Sequence, residues 1–379
     1  MEFSYSREQQ MIKQMLKDFA EKEIAPIAAE IDEKAEYPYE TISKLSKLGL
    51  MGMPFPAEYG GAGTDYLTYI MAIEEISKVD ASHGVIIQTH NALCCWPIYT
   101  YGTKEQKDKY LPKLLSGKHL GAFGLTEPNA GTDAAGTQTK AVLDGDEWVL
   151  NGSKIFISGG GIADVYIIMA MTDKSKGTKG ISAFIVEKGD PGFSAPKHEN
   201  KMGIRGSIAA ELVFEDCRIP KDRLLSQEGK GFKVAMSSLD VGRLGIAAQA
   251  LGIAQGAFDE TVKYMKQRKQ FGKTLDRFQA LSFEMASMKV KIDGARYLLY
   301  DACNRRDRGL PSTVAAAEAK LACSEAASYV TNKAVQFHGG YGYIKDYPVE
   351  RMYRDAKITE IYEGTSEVMK MVMSGEIFK

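Results

Sequence analysis

The chain has 379 residues, 48 Lys plus Arg against 49 Asp plus Glu, and a formal net charge of −1. That balance argues against nucleic acid or an anionic membrane as the main partner, and leaves room only for a local basic patch that holds phosphates. The cysteines (Cys94, Cys95, Cys217, Cys303, Cys323) are odd in number with no C-x-x-C pair, and the histidines show no H-x-x-x-H spacing, so neither a disulfide framework nor a metal site is expected.

The N-terminus, Met1-Glu2-Phe3-Ser4, lacks a basic stretch followed by an apolar one, so no secretory or transit segment is expected. No apolar run is long enough to span a bilayer, and the chain reads as cytoplasmic. Its length exceeds what one core serves, which predicts two or three domains. Ser6 and Gln9 have capping-box spacing ahead of a helical pattern at Ile12, Met15, Leu16 and Phe19, and Pro26 should kink or end that helix. Further helices are predicted over 39–48, 67–79, 82–99 and 104–116, with a glycine loop at 58–63 that fails the dinucleotide spacing.

Near His119 the period changes from helical to alternating. Residues 147–150 and 153–158 flank Asn151-Gly152, which predicts a hairpin turn there. Strands follow over 165–171, 181–187 and 211–214, the pattern of a small sandwich or barrel. Helical texture returns near Gly231, with four helices predicted over 231–269, 277–308, 313–338 and 348–362, then a short amphipathic segment over 367–378. The expected organisation is α+β: a helical domain over 1–118, a central β-domain over 119–228 and a C-terminal helical bundle over 229–379.

Several stretches carry groups suited to chemistry. The loop 124–133 combines hydroxyls, glycine and free N–H groups, as a cofactor edge needs, or is mere connection. Phe156-Ile157-Ser158 ends a strand in three glycines, fit for a planar ligand or for a flexible turn. Asp240 and Arg243 recognise a polar substrate tail or pair with each other on the surface. The cations of 268–273 contact phosphates or simply favour a helix C-terminus, and Gln336 to Gly340 is explained equally by capping. Glu363-Gly364 places a carboxylate at a sharp turn beside bare backbone, which is either a helix cap or a general base next to an oxyanion site.

Taken together and in order, these stretches resemble the acyl-CoA dehydrogenase family from end to end, nearest to its short-chain, butyryl-CoA branch. The matching pieces are 125–133, 150–158, 268–272, 336–343, and 354–358 running into 361–365. The resemblance implies an N-terminal helical domain, a central β-domain and a C-terminal four-helix bundle. It also implies FAD, a homotetramer built as a dimer of dimers, and exchange of electrons with an electron-transfer flavoprotein. Phe123, Leu125, Thr126, Gly131 and Thr132, with Phe156, Ile157 and Ser158, would line the flavin. Arg268, Phe271, Gln279, Gln336, Phe337, Gly339 and Gly340 would reach FAD, partly across a subunit boundary, and Thr365 and Glu367 would flank it. Thr132, Asp240, Arg243 and Gly364 would contact the acyl-CoA, and Glu363 falls on the family's catalytic base.

Some branches carry the base on the earlier helix, at the position held here by Gly242, which has no acid and is expected to leave room beside the acyl chain. The family often has Trp and Thr where this chain has Phe156 and Ser158; the hydroxyl survives but loses the methyl that would orient it. The implied reaction is reversible interconversion of a short-chain acyl-CoA and its trans-2-enoyl-CoA. Its physiological direction and its acyl group (butyryl, propionyl, or a bulkier enoyl or aryl-propenoyl) stay open, as does an electron-bifurcating setting. An acyl-CoA oxidase and a non-catalytic flavoprotein subunit are the alternatives.

Overall fold

The computed structural model describes residues 5–379, so the reading of the first four residues lies outside it. Ser6 Oγ accepts from Gln9 N at 3.1 Å and Ser6 N donates to Gln9 Oε1 at 3.0 Å, the expected capping box. It opens α1 (Arg7–Phe19), which widens into a π turn at Ala20–Ile24 and stops before Pro26. There follow α2 (Ala28–Lys34), α3 (Tyr39–Lys47), α4 (Tyr66–Ser77) and α5 (Ala81–Thr89). The helix predicted over 82–99 is α5, a π turn at His90–Cys95 and α6 (Trp96–Tyr101) without a break. The wide turn precedes Pro97, which has no N–H to donate back along the helix. A second capping box, Thr103 with Gln106, starts α7 (Lys104–Leu115).

The central strands are β1 (Gly121–Gly124), β2 (Lys140–Asp144), β3 (Glu147–Ser158), β4 (Val165–Met171), β5 (Ile181–Glu187), β6 (Phe193–Ser194), β7 (Ala209–Pro220) and β8 (Leu224–Leu225). They form one path, β6-β7-β3-β2-β4-β5-β8, with β1 parallel to β4. Because β2 and β4 meet only at Lys140 and Met171, the path behaves as two four-stranded halves. Tyr166, Ile168, Phe184 and Val186 of one half face Trp148, Leu150, Leu212 and Phe214 of the other. The opposite face of β4 and β5 packs Ile167, Met169, Ala183 and Ile185 onto Ile98, Leu111, Leu114 and Val234 of the helices. Burial on both faces explains why β4 reads as a continuous apolar run.

The predicted hairpin at Asn151-Gly152 does not form: β3 runs straight through it, with a register shift between Leu150 and Gly152. Asn151 has no positive φ, and its side chain instead accepts from Asp216 N at 2.8 Å and donates to Asp216 Oδ1 at 3.1 Å. Gly152 serves a close approach, since a Cβ there would lie 2.7 Å from Thr139 Cα. The turn lies earlier, where Gly145 (φ +63°) opens a two-residue loop closed by the pair Asp144 and Glu147.

The C-terminal part contains the 37-residue α8 (Gly231–Gln267), α9 (Gln279–Asp307), α10 (Thr313–His338), α11 (Val349–Lys357) and α12 (Ser366–Ile377). A shared core joins it to the N-terminal helices through Tyr69, Ile73, Val85 and Ile87 against Leu244, Leu251, Leu299 and Val330. The helix predicted over 348–362 ends at Lys357 and tightens into a 3₁₀ turn at Ile358–Glu360, because the chain must reverse at Glu363 and Gly364.

Candidate active site

Glu363 and Gly364 have φ of +53° and +104° between the end of α11 and the start of α12. A left-handed glutamate is strained by about 1–2 kcal/mol, and strain of this kind collects at functional sites. Thr365 ends the turn by capping α12, its hydroxyl accepting from Val368 N at 3.3 Å. Glu367 lies exposed in the first turn of that helix.

The half-buried Glu363 points its carboxyl inward. Oε1 accepts from Gln88 Nε2 at 2.9 Å, while Oε2 is sealed from solvent with no hydrogen-bond partner. Burial pushes this carboxyl up to about 7, against the opposing pull of the Gln88 hydrogen bond and of the Lys320 and Arg243 charges. Among the described residues the Glu363 N–H donates to no acceptor, so it is available to a ligand.

The carboxyl rests on bare backbone of α8. A Cβ at Gly242 would lie 2.0 Å from Glu363 Oε2, and one at Gly245 would lie 2.3 Å from Gln88 Cγ. The space expected at Gly242 for an acyl chain is therefore filled by the glutamate itself. Gln88 Nε2 also donates to Gly242 O at 3.1 Å, which fixes the amide with its N–H toward the carboxylate. Gln88 and Gly245 help to build this site, and the sequence singles out neither by itself. One local signal is a G-x-x-G spacing on α8, whose partner on α5 lies more than a hundred residues away.

Asp240 and Arg243 form the ion pair that was the plainer of their two readings, but Arg243 is buried rather than solvated. Asp240 Oδ2 also accepts from Thr313 Oγ1 at 3.0 Å, and Arg243 Nε is buried without a partner. An orphaned guanidinium N–H is a donor available to a ligand.

The two predicted flavin loops meet. Ile155 N donates to Thr126 O at 2.9 Å, and Lys154 Nζ donates to Leu125 O at 3.1 Å and to Glu127 Oε1 at 2.6 Å. Glu127 further accepts from Gln138 N and Thr139 N, so this buried pair clamps both ends of the loop. Phe123 is half-buried beside Leu125, whereas Gly131 and Thr132 form an exposed tip. Phe156 breaks the β3 register with φ +61° and leaves its ring 63% exposed, while Ile157 turns into the core. Phe156 and Ser158 line a cavity of about 250 Å³ with Met202, Ile358, Ile361 and Tyr362, next to the glutamate turn.

A second group lies elsewhere. Arg268, Gln336, Phe337, Gly339 and Gly340 line a cavity of about 460 Å³, with the Arg268 guanidinium 5.3 Å from the Tyr341 ring centre. Phe271 (93% exposed, φ +51°) and Gln279, the first residue of α9, are not in that cavity. Within one chain the expected cofactor residues thus form separate groups. The first offers a planar aromatic ring, a hydroxyl and an apolar wall; the second offers a guanidinium beside open glycine backbone. These are the donor sets that a flavin ring and a pyrophosphate need, so the residues present fit FAD. Among the described residues, no cluster of three or more metal-ligating side chains occurs, and no helix is long and apolar enough to cross a membrane.

The chain belongs to the acyl-CoA dehydrogenase family, whose N-terminal, middle and C-terminal domain models match residues 6–118, 122–217 and 229–378. It is therefore an FAD-dependent oxidoreductase acting on a CH–CH bond. It is 60% identical over the full length of both chains to a short-chain specific acyl-CoA dehydrogenase of Clostridium acetobutylicum. It is 52% identical to the acryloyl-CoA reductase (NADH) of Anaerotignum propionicum, covering 100% of this chain and 96% of that one. Among solved structures, butyryl-CoA dehydrogenase from Megasphaera elsdenii aligns with TM-score 0.98 at 52% identity over all of both chains. A chain solved in work on the electron transferring flavoprotein of Acidaminococcus fermentans and flavin-based electron bifurcation aligns with TM-score 0.99 at 55% identity, again over all of both.

Proposed function

We propose that this protein interconverts a short-chain acyl-CoA and its trans-2-enoyl-CoA, with Glu363 carrying the α-proton. The observation that carries this reading is Glu363 Oε2: an enclosed, unpartnered carboxyl oxygen whose acid is pushed by burial up to about 7. Such a group takes a proton in the oxidative direction and returns it in the reductive one at neutral pH. The Glu363 N–H and the bare backbone at Gly364 can receive a thioester carbonyl, which polarises the α-carbon. Arg243 and Asp240 hold the polar part of the substrate, and Phe156 and Ser158 position the ring of FAD. When bound, that cofactor supplies hydride transfer at the β-carbon and relays electrons to or from an electron-transfer flavoprotein. The Acidaminococcus likeness and the acryloyl-CoA reductase likeness support that partner and a reductive physiological role.

The active unit we infer is a homotetramer, a dimer of dimers. Exposed Phe283 and Val290, seven residues apart on α9, and exposed Phe271 support further burial by other copies. The five free, buried cysteines support a reducing, cytoplasmic setting. The test is Glu363→Gln, assayed by anaerobic flavin bleaching with butyryl-CoA and by flavin re-oxidation with crotonyl-CoA. Retained FAD with abolished turnover is expected, and near-normal turnover would remove Glu363 from the mechanism.

A further inference from the structure

Lys320, in the N-terminal half of α10, is a fully buried lysine that the reaction described above does not use. Its ammonium donates to Gly364 O at 2.6 Å. The charged groups facing it are Glu363 on the catalytic turn, Arg243 on α8, Glu360 in the 3₁₀ turn after α11 and Glu367 at the start of α12. None of the three carboxylates hydrogen-bonds it, so one carbonyl is the direct partner of a desolvated cation. Burial of that kind is unfavourable, and an apolar side chain of the same length would pack the core as well. What the ammonium does is local to the turn it touches.

We propose that Lys320 is a positioning residue for the Glu363 turn: it pins the Gly364 carbonyl, and its charge acts on the Glu363 carboxylate. Gly364 can rotate more freely than any other residue type. Without a donor at its carbonyl, the peptide after it can turn, and the left-handed Glu363 before it loses the restraint that holds its carboxyl against Gly242. Gln88 grips the same carboxyl through Oε1. The turn is thus held at its backbone by α10 and at its side chain by α5.

The electrostatic part has a definite sign. Burial pushes Lys320 down to about 8 and Glu363 up to about 7. Each charge favours the other, so removing the ammonium leaves burial of the carboxyl opposed only by Gln88 and Arg243. The Glu363 midpoint then rises. The two groups also titrate close together, so a proton gained at Glu363 weakens the hold of Lys320 on its own. The consequence for turnover rests on Glu363 being the base; the coupling between the two residues does not.

The experiment uses full-length holoprotein carrying ¹³C-labelled glutamate carboxyls, titrated by infrared spectroscopy, with the Glu363 band identified by its loss in Glu363→Gln. Lys320→Met and Lys320→Gln are each expected to raise the Glu363 midpoint by about one unit. The Gln variant keeps a donor for Gly364 O and so isolates the charge. Flavin bleaching by butyryl-CoA near pH 7 should fall roughly tenfold in Lys320→Met, with FAD content unchanged. In the unmutated protein, the ¹⁵Nζ signal of Lys320 should respond at the Glu363 midpoint, and that response should vanish in Glu363→Gln. A variant that holds FAD and titrates with the original midpoint overturns the proposal. So does a Lys320 signal that ignores Glu363, which decides the matter even if neither lysine variant folds. Should Glu363→Gln keep its turnover while the unmutated protein shows the coupling, the mechanism fails and the positioning stands.

Discussion

Gly242→Ala separates the geometry of the proposed base, Glu363, from the stability of α8, on which Gly242 lies. The added methyl would begin 2.0 Å from Glu363 Oε2 and 2.9 Å from its Cδ. Ordinary contact begins near 3.4 Å, so the carboxyl must retreat by about 1.4 Å. Leu93 Cδ2, 3.1 Å from the same point, limits how far the methyl itself can give way. Alanine is favoured over glycine inside a helix by about 1 kcal/mol, so α8 itself should be stabilised. A misplacement of about 1 Å at a reacting group costs on the order of a hundredfold in rate, equivalent to about 2.7 kcal/mol. The expected variant therefore binds FAD, melts at or above the original temperature and bleaches its flavin about a hundredfold more slowly with butyryl-CoA. Stopped-flow absorbance and a thermal scan on one preparation measure both quantities. A rate within threefold or so of the original, with FAD in place, would show that the carboxyl does not work from the position resting on Gly242.

Gln88→Leu removes the hydrogen bond that favours the ionised form of Glu363, so its midpoint should move up; the rise of oxidative flavin bleaching with pH should shift to higher pH, and an unchanged profile would remove Gln88 from the site. Lys154→Met leaves Glu127 buried without its cation, at a cost of about 3–5 kcal/mol; a clearly lower melting temperature and weaker FAD retention are expected, and an unchanged melt would count against the clamp. Asp355 is buried with its carboxyl pushed up to about 7 by burial, and it accepts from Ile204 N at 2.5 Å. A raised acid contributes stability at low pH that is lost as pH rises through its folded midpoint. Asp355→Asn keeps the acceptor and cannot ionise. Its stability relative to the original should therefore improve from about pH 5 to about pH 8, and melting curves that stay parallel would refute this.

Much of the local structure could be read from a few adjacent residues. The cap at Ser6 and the helical stretch that became α10 depend on groups within one or two turns of each other. The same short range explains the error at Asn151-Gly152. The dipeptide suits a turn locally, but β7 and Thr139 approach it from elsewhere and use it as straight strand. The glutamate turn was visible as a carboxylate before a glycine, and resemblance turned a choice between cap and base into an expectation.

What the chain order alone determined is the succession of helices, strands and helices, because periodicity is a property of consecutive residues. It also determined the identity of Glu363 as the acid at the last turn. What only the tertiary structure decided is everything that surrounds that acid. Gln88 and Glu363 are 275 positions apart, and Lys320 and Gly364 are 44 apart. The room that glycine leaves at position 242 is filled by the Glu363 carboxyl, which comes from a distant turn. Burial, orphaned lone pairs and opposed charges belong to a packed interior, where water no longer screens them.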